Sequence, residues 1–231
     1  MKHIAIIPAR SGSKRLPNKN LKIFVNKPLI AWTIDAALQS KVFSEVIVST
    51  DCQSIADVAI EFGAKVPFLR DSTLASDDAK SADVAMDVIE KLALSGEDEF
   101  TWLQPTSPLR TSECIRQAMQ QFKLTEADSL VSVTECEHSP LWSCQVSENN
   151  QLSSLIAEQA LLENSQSLPT YFRFNGAIYI NQVGRFKQSC AFYSSIAKTT
   201  AFKMPNTKSV DIDTELDFMF AELIMQQGLN E

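Results

Sequence analysis

The chain has no CxxC pair, no long apolar run and no excess of positive charge. Its five cysteines, Cys52, Cys114, Cys136, Cys144 and Cys190, are odd in number and widely spaced. That pattern argues against a disulfide framework and against a zinc site, and reduced thiols in a cytosolic protein are expected. The first apolar stretch stops at Pro8, short of a signal-peptide core, and no later run is long enough to cross a bilayer. A cytoplasmic location follows as the expectation. The formal net charge is −7. Nucleic acids and anionic membranes both reward a basic surface, so neither is an expected partner. A local basic cluster can still hold a small anion. Two nucleotide signatures are also missing: there is no GxxxxGK[ST] loop and no GxGxxG fingerprint. Histidine is scarce. His3 opens the first apolar run and His138 lies in a polar stretch. Both read as structural or surface residues, so no imidazole base is expected.

What is present is a strand–helix alternation. At 231 residues and 45% hydrophobic, the chain can bury a full core. Ile4 to Ala9, Glu45 to Thr50, Val66 to Leu69, Phe100 to Gln104 and Ser129 to Thr134 read as strands. Pro28 to Gln39, Gln53 to Phe62, Ser81 to Leu94 and Thr111 to Phe122 read as helices, with Gly63 stopping the second. Such alternation predicts an α/β fold with a mainly parallel sheet covered on both faces. Residues 135–170 are polar and weakly periodic, and read as an inserted arm. Regular structure resumes with strands at Gly176 to Ile180 and Thr200 to Met204. A closing helix is expected over Asp213 to Gln227, capped by Asp213 or Thr214, with Leu216, Phe220, Leu223 and Ile224 as its apolar stripe. Trp32 and Trp102 fall on core-facing positions, and Trp142 in the arm suits an interface.

The strongest local signal follows the first strand, where open α/β sheets bind ligands. Ser11, Gly12 and Ser13 are small enough to turn backbone N–H groups toward one anion. Arg10, Lys14, Arg15 and Lys19 place four cations within ten residues of an acidic protein. Together they suit a triphosphate. The second signal is Asp211-Ile212-Asp213. In an extended segment both carboxylates share one face and Ile212 points to the core. Two hard oxygen ligands suit Mg²⁺. Asp51, after the second strand, is a weaker acidic candidate.

Six stretches then carry a resemblance: IPARSGSKRLPNKN at 7–20, VSTD at 48–51, LASDDAKS at 74–81, LQPTSPLR at 103–110, FRFNGAIYI at 172–180 and VDIDTELD at 210–217. In this order, over nearly the whole chain, they resemble the acylneuraminate cytidylyltransferases, the CMP-sialic acid synthetases. The resemblance implies a Rossmann-like nucleotidyltransferase sheet flanked by helices. It assigns residues 1–134 and 171–231 to the catalytic domain and 135–170 to a small inserted dimerisation arm. It implies a homodimer that transfers CMP from CTP to N-acetylneuraminic acid, with Mg²⁺, replaceable by Mn²⁺, as cofactor. The same reaction on legionaminic acid is an alternative, and a non-catalytic nucleotide-sugar binder a remote one.

Carried over residue by residue, the resemblance gives Ala9, Arg10, Ser11, Gly12, Ser13, Lys14, Lys19, Asn20 and Ser81 to the nucleotide. It gives Gln104, Thr106, Ser107, Arg173, Asn175, Tyr179, Phe192 and Tyr193 to the sugar. Arg10, Lys19 and Asp211 would be catalytic, and Asp211 with Asp213 would hold the metal. Two positions depart from the pattern. Sialate enzymes carry a basic residue near Trp142 and an arginine at Ser165. Both losses remove positive charge from the sugar side. The strand after Pro169 also differs from the pseudaminate branch.

Overall fold

The computed structural model describes residues 1–154, 161–164, 167–193 and 196–229. Strands β1 (His3–Pro8), β4 (Glu45–Ser49), β5 (Glu99–Trp102), β6 (Ser129–Glu135), β9 (Phe172–Gln182) and β10 (Thr199–Lys203) form the main sheet. Their order is β10-β6-β9-β5-β1-β4. β1 pairs in parallel with β4 and β5, and β10 with β6, whereas β9 runs antiparallel between β5 and β6. The sheet is therefore mostly parallel with one reversed strand. Helices α1 (Leu29–Ser40), α2 (Gln53–Glu61), α3 (Ser81–Lys91), α4 (Ser112–Lys123), α5 (Val183–Ser189) and α6 (Glu215–Gln226) flank it. A two-stranded hairpin of β2 (Ile23–Phe24) and β3 (Lys27–Pro28) leads into α1, and another of β7 (Cys144–Val146) and β8 (Leu152–Ser154) stands in the arm.

Two clusters of apolar side chains sandwich the sheet. One holds Ile7, Ile34, Val48, Ile115 and Ile178 under α1, α2 and α4. The other holds Ile6, Val88, Phe100, Trp102 and Phe186 under α3 and α5. A third, with Phe24, Leu29, Ile212 and Phe218, seats α6 against the β2–β3 hairpin. Burying such side chains contributes about 1.5–3 kcal/mol each.

Two expectations change, and one is decided between its alternatives. Val66 to Leu69 forms no strand. Lys65 alone makes a parallel bridge to Ile47, and Pro67, lacking an N–H, cannot extend the ladder. The last helix begins at Glu215, with Thr214 as its cap. Thr214 and Asp217 exchange bonds in a reciprocal capping box, which displaces Asp213 from that role. Finally, Leu216, Phe220 and Leu223 face solvent, while Phe218, Ala221 and Ile224 pack inward. α6 is apolar on two faces, and Phe24, edge-on to Phe218 at 5.3 Å between centroids, decides which one is buried.

Candidate active site

The site forms where the strand ends and two extended segments meet. β1 delivers the loop from Ala9 to Asn20, and the loop is built rather than slack. Ala9 N–H donates to the Ser49 carbonyl at 2.9 Å. Ser11 gives its N–H and its hydroxyl to the two oxygens of Asp51, at 3.0 and 2.7 Å. Burial works against a charge on Asp51, yet the bonds from Ser11 hold its carboxyl below the ordinary range. Asp51 is thus a brace for the loop. Asn20 is buried and donates to the Arg10 carbonyl at 3.0 Å, closing the loop at its far end.

Opposite the loop lies the segment Val210 to Asp213. Ile212 is buried, and its N–H donates to the Thr106 carbonyl at 2.8 Å. Lys19 reaches across to donate to the Ile212 carbonyl at 2.6 Å and to Asp213 Oδ1 at 3.3 Å. Arg15 Nη2 is 3.3 Å from Asp213 Oδ2. Asp211 is pushed above the ordinary carboxyl range, first by burial and then by Asp213, against a bond from Thr106 and the charge of Lys19. A cation between the two carboxylates would relieve that repulsion. Among the described residues no group of three or more His, Cys, Asp or Glu could cage a metal. Two carboxylates nevertheless suffice for Mg²⁺, which completes its shell with phosphate oxygens and water.

The two segments wall one cavity of about 470 Å³, a size that fits a nucleotide-scale ligand. Arg10, Ser13, Lys14, Lys19, Asn20, Ser81, Gln104, Thr106, Asp211 and Asp213 all line it. Ser11 and Gly12 line an adjoining cavity of about 340 Å³ on the outer side of the loop. Of the remaining expected residues, Ala9 is buried beneath the loop. Ser107 is fully buried, with no partner for its hydroxyl among the described residues. Asn175 is also buried: it accepts from Ser132 Oγ at 2.5 Å and donates to Ser209 Oγ at 2.9 Å, so it ties β9 to β6 and to the segment before Asp211.

Arg173 is exposed, paired in register with Thr134 at the arm end of β9. Tyr179, Phe192 and Trp102 form an aromatic wall, with Phe192 centroids 5.3 and 5.2 Å from the other two. Tyr193 stacks on Phe174 at 4.9 Å. Burial, with Tyr193 and Asp211 adding, pushes the Tyr179 hydroxyl up to about 12, so it stays protonated. These aromatics adjoin the cavity without lining it, apart from Trp102. Trp142 is 38% exposed in the arm, and Ser165 lies outside the described residues.

Four residues of the site were not singled out by the sequence. Arg70 lines the cavity and is anchored by bonds to Ser49 Oγ at 3.1 Å, to the Ser49 carbonyl and to the Leu74 carbonyl at 3.4 Å. Burial brings it down to about 10, so it remains charged. Its signal was an arginine directly after an apolar run, obscured by reading Val66 to Leu69 as a strand. Arg110 is fully buried and donates to the Gln104 and Ala177 carbonyls at 3.2 and 2.8 Å and to Thr33 Oγ1 at 2.7 Å. It fixes the backbone that presents Gln104. Gly176 has φ +75°, and a Cβ there would lie 2.6 Å from Gln104 Oε1, so only glycine leaves that side chain its place. Asp77, the fourth, bridges Arg10 and Lys14.

Comparison with known proteins agrees with this geometry. A family model described as cytidylyltransferase matches residues 4–225. A CMP-N,N'-diacetyllegionaminic acid synthase of Legionella pneumophila is 39% identical over 98% of this chain and 97% of its own. A pseudaminic acid cytidylyltransferase of Campylobacter jejuni is 34% identical over 97% and 96%. An N-acylneuraminate cytidylyltransferase of Streptococcus agalactiae is 35% identical over 95% of this chain, which spans 52% of that longer protein. Among solved structures, a CMP:2-keto-3-deoxy-manno-octonic acid synthetase complexed with CTP superposes with a TM-score of 0.73 at 20% identity, covering 99% of this chain and 100% of that one. This chain belongs to the cytidylyltransferase family that includes the N-acylneuraminate enzymes.

Proposed function

We propose that the protein couples CTP to a nonulosonic acid, giving the CMP-sugar and pyrophosphate. One observation carries the reading. A single cavity joins a loop of phosphate-directed cations to a carboxylate pair and to Gln104 on the opposite wall. In the reaction, the anomeric hydroxyl oxygen bonds to the α-phosphorus, the bond to the β-phosphate oxygen breaks, and the hydroxyl proton passes to water. Charge grows on the phosphate oxygens, so positioning and electrostatic stabilisation supply most of the rate. Arg10, Lys14 and Lys19 would meet that charge. The backbone N–H of Gly12 would meet the terminal phosphates, with the N–H groups of Ser11 and Ser13 spent on Asp51 and on the Ser11 carbonyl, and Asn20, Arg70 and Ser81 would hold the nucleoside end. Asp211 and Asp213 would hold Mg²⁺, or Mn²⁺ in its place, which when bound supplies Lewis-acid stabilisation of phosphate charge. Gln104 and Thr106, with Tyr179 and Phe192 of the aromatic wall and with Tyr193, would face the sugar.

N-acetylneuraminic acid is the first sugar proposed, on the LQPTSPLR and RFNGAIYI stretches. N,N'-diacetyllegionaminic acid has at least equal support. The Legionella relative matches at 39% over almost its full length, and Trp142 and Ser165 lack the basic groups of sialate enzymes. Arg173 would then be the nearest basic group for the sugar carboxylate. The enzyme would act as a cytoplasmic homodimer associating through the arm. Pyrophosphate release from CTP and Mg²⁺, measured in parallel with N-acetylneuraminic, N,N'-diacetyllegionaminic, pseudaminic and 2-keto-3-deoxy-manno-octonic acids, tests the reading. Fast release with either of the first two names the sugar. CTP binding without release from any of the four would overturn the enzymatic reading in favour of a nucleotide-sugar binder.

A further inference from the structure

Asp77 stands where the polyphosphate of a nucleotide would be expected. Its Oδ1 lies 2.8 Å from Arg10 Nη1, and its Oδ2 lies 2.5 Å from Lys14 Nζ. Arg10 is drawn to the same segment by a bond to the Ala75 carbonyl at 3.4 Å. One carboxylate thus engages both guanidinium and ammonium groups that the loop offers at this point.

The bridge also has a defined place in the cleft. The 470 Å³ cavity and the outer 340 Å³ cavity share Arg10, Lys14, Ser76 and Asp77 in their walls. The outer cavity adds Ser11 and Gly12, the small residues suited to terminal phosphates. The Asp77 contacts therefore cross a cleft that would otherwise run on along the loop.

These contacts are exchangeable. The Asp77 side chain is 40% exposed and that of Lys14 82%. Exposed ion pairs are weak and are screened by salt. A polyphosphate brings more charge and more acceptor oxygens than one carboxylate, so it would win the exchange.

We propose that Asp77 is an internal competitor for the triphosphate. It occupies Arg10 and Lys14 in the free protein, yields them to the phosphates of the incoming nucleotide, and takes them back as pyrophosphate leaves. Asp77 is a positioning residue and touches no reacting atom. The inference rests on the nucleotidyl-transfer reading above, but its test does not require turnover.

The sign of the effect separates this role from a structural one. Removing a structural brace loosens Arg10 and Lys14 and weakens anion binding. Removing a competitor strengthens it. Titration calorimetry with inorganic tripolyphosphate and pyrophosphate, on the wild type and on Asp77→Asn, Asp77→Ala and Asp77→Glu, reads that sign directly. Both neutral variants should bind each anion about three- to tenfold more tightly than the wild type, the range two exposed ion pairs allow. Asp77→Glu should restore wild-type affinity, and the difference should shrink as salt screens the pairs. In the steady state, pyrophosphate inhibition should tighten by the same factor while the KM for the sugar stays put. Equal or weaker anion binding by the neutral variants overturns the proposal while leaving the enzyme reading intact. No tripolyphosphate binding by the wild type or the neutral variants also overturns it, and the pyrophosphate-release assay then decides the enzyme reading separately.

Discussion

Charged groups in this molecule behave according to what surrounds each one. Arg110 is fully buried, and burial brings it down to about 10, still well above neutral. Three bonds, two to carbonyls and one to Thr33, replace part of its water, and its Nε has no partner among the described residues. Asp211 has fewer compensations, so its carboxyl rises above the ordinary range. If it holds the metal, proton and Mg²⁺ compete for it, so the Mg²⁺ concentration for half-maximal rate should rise as pH falls toward the carboxyl range. Mg²⁺ titrations of the rate at several pH values check this. Asp211→Asn should lower turnover far more than CTP affinity, and Lys19→Ala should lose about 10²-fold or more in kcat, the usual result of removing one stabiliser of developing charge. An unchanged kcat in Asp211→Asn would remove it from the mechanism.

His3 gives a prediction about stability. Burial, with the charge of Lys123 adding, lowers it from 6.5 to about 3. The unfolded chain therefore takes up a proton between those values that the folded chain refuses. The stability tied to neutral His3 is present above about pH 6.5 and is lost as pH falls toward about 3, by up to several kcal/mol. Urea titrations at pH 7 and pH 4.5 should show a smaller loss for His3→Gln than for the wild type.

At the scale of elements, the site depends on how helices and strands end. The start of α6 matters most. Asp217 accepts from the N–H groups of Asp213 and Thr214, at 3.1 and 2.7 Å, and thereby fixes the backbone that carries Asp213. Thr214→Ala should cost about 1 kcal/mol, seen as a fall of roughly 2–4 °C in Tm for a chain of this length. It should also raise the Mg²⁺ concentration needed for half-maximal rate. A loss of stability without a change in metal dependence would separate the cap from the metal pair. The elements whose ends are marked by chemistry were legible in the sequence: the helix expected from Thr111 does start there, with Thr111 as its cap, and Gly63, at φ +90°, does follow α2. Val66 to Leu69 was not, because an apolar run says nothing about whether Pro67 leaves the ladder its donors.

For the whole molecule, the arm raises a question of association. Among the described residues the β7–β8 hairpin pairs with no third strand, and it leaves Val146 62% and Leu152 72% exposed. An isolated hairpin is marginal in water, and exposed apolar side chains on it favour a partner surface. Sedimentation should show a dimer, and Val146→Glu with Leu152→Glu should shift it toward monomer. A monomeric wild type would remove the dimerisation role from the arm. The net charge of −7 sits alongside a loop whose cations are held by Asp77 and Asp213. The global sign therefore excluded polyanionic partners in the reading without excluding a nucleotide.

The sequence by itself determined the alternation that makes an α/β sheet, the basic loop after β1, the Asp211–Asp213 pair around a buried Ile212, and the family. Each is a local pattern, carried by spacing and residue type within a few positions. Tertiary structure alone decided the rest. It reversed β9 between β5 and β6, chose Phe218 over Leu216 for the core, and brought Arg70, Asp77 and Arg110 to the site. Those outcomes depend on contacts between residues far apart in the chain, such as Lys19 with Ile212 and Arg110 with Ala177, and no local spacing encodes which distant partner a side chain will meet.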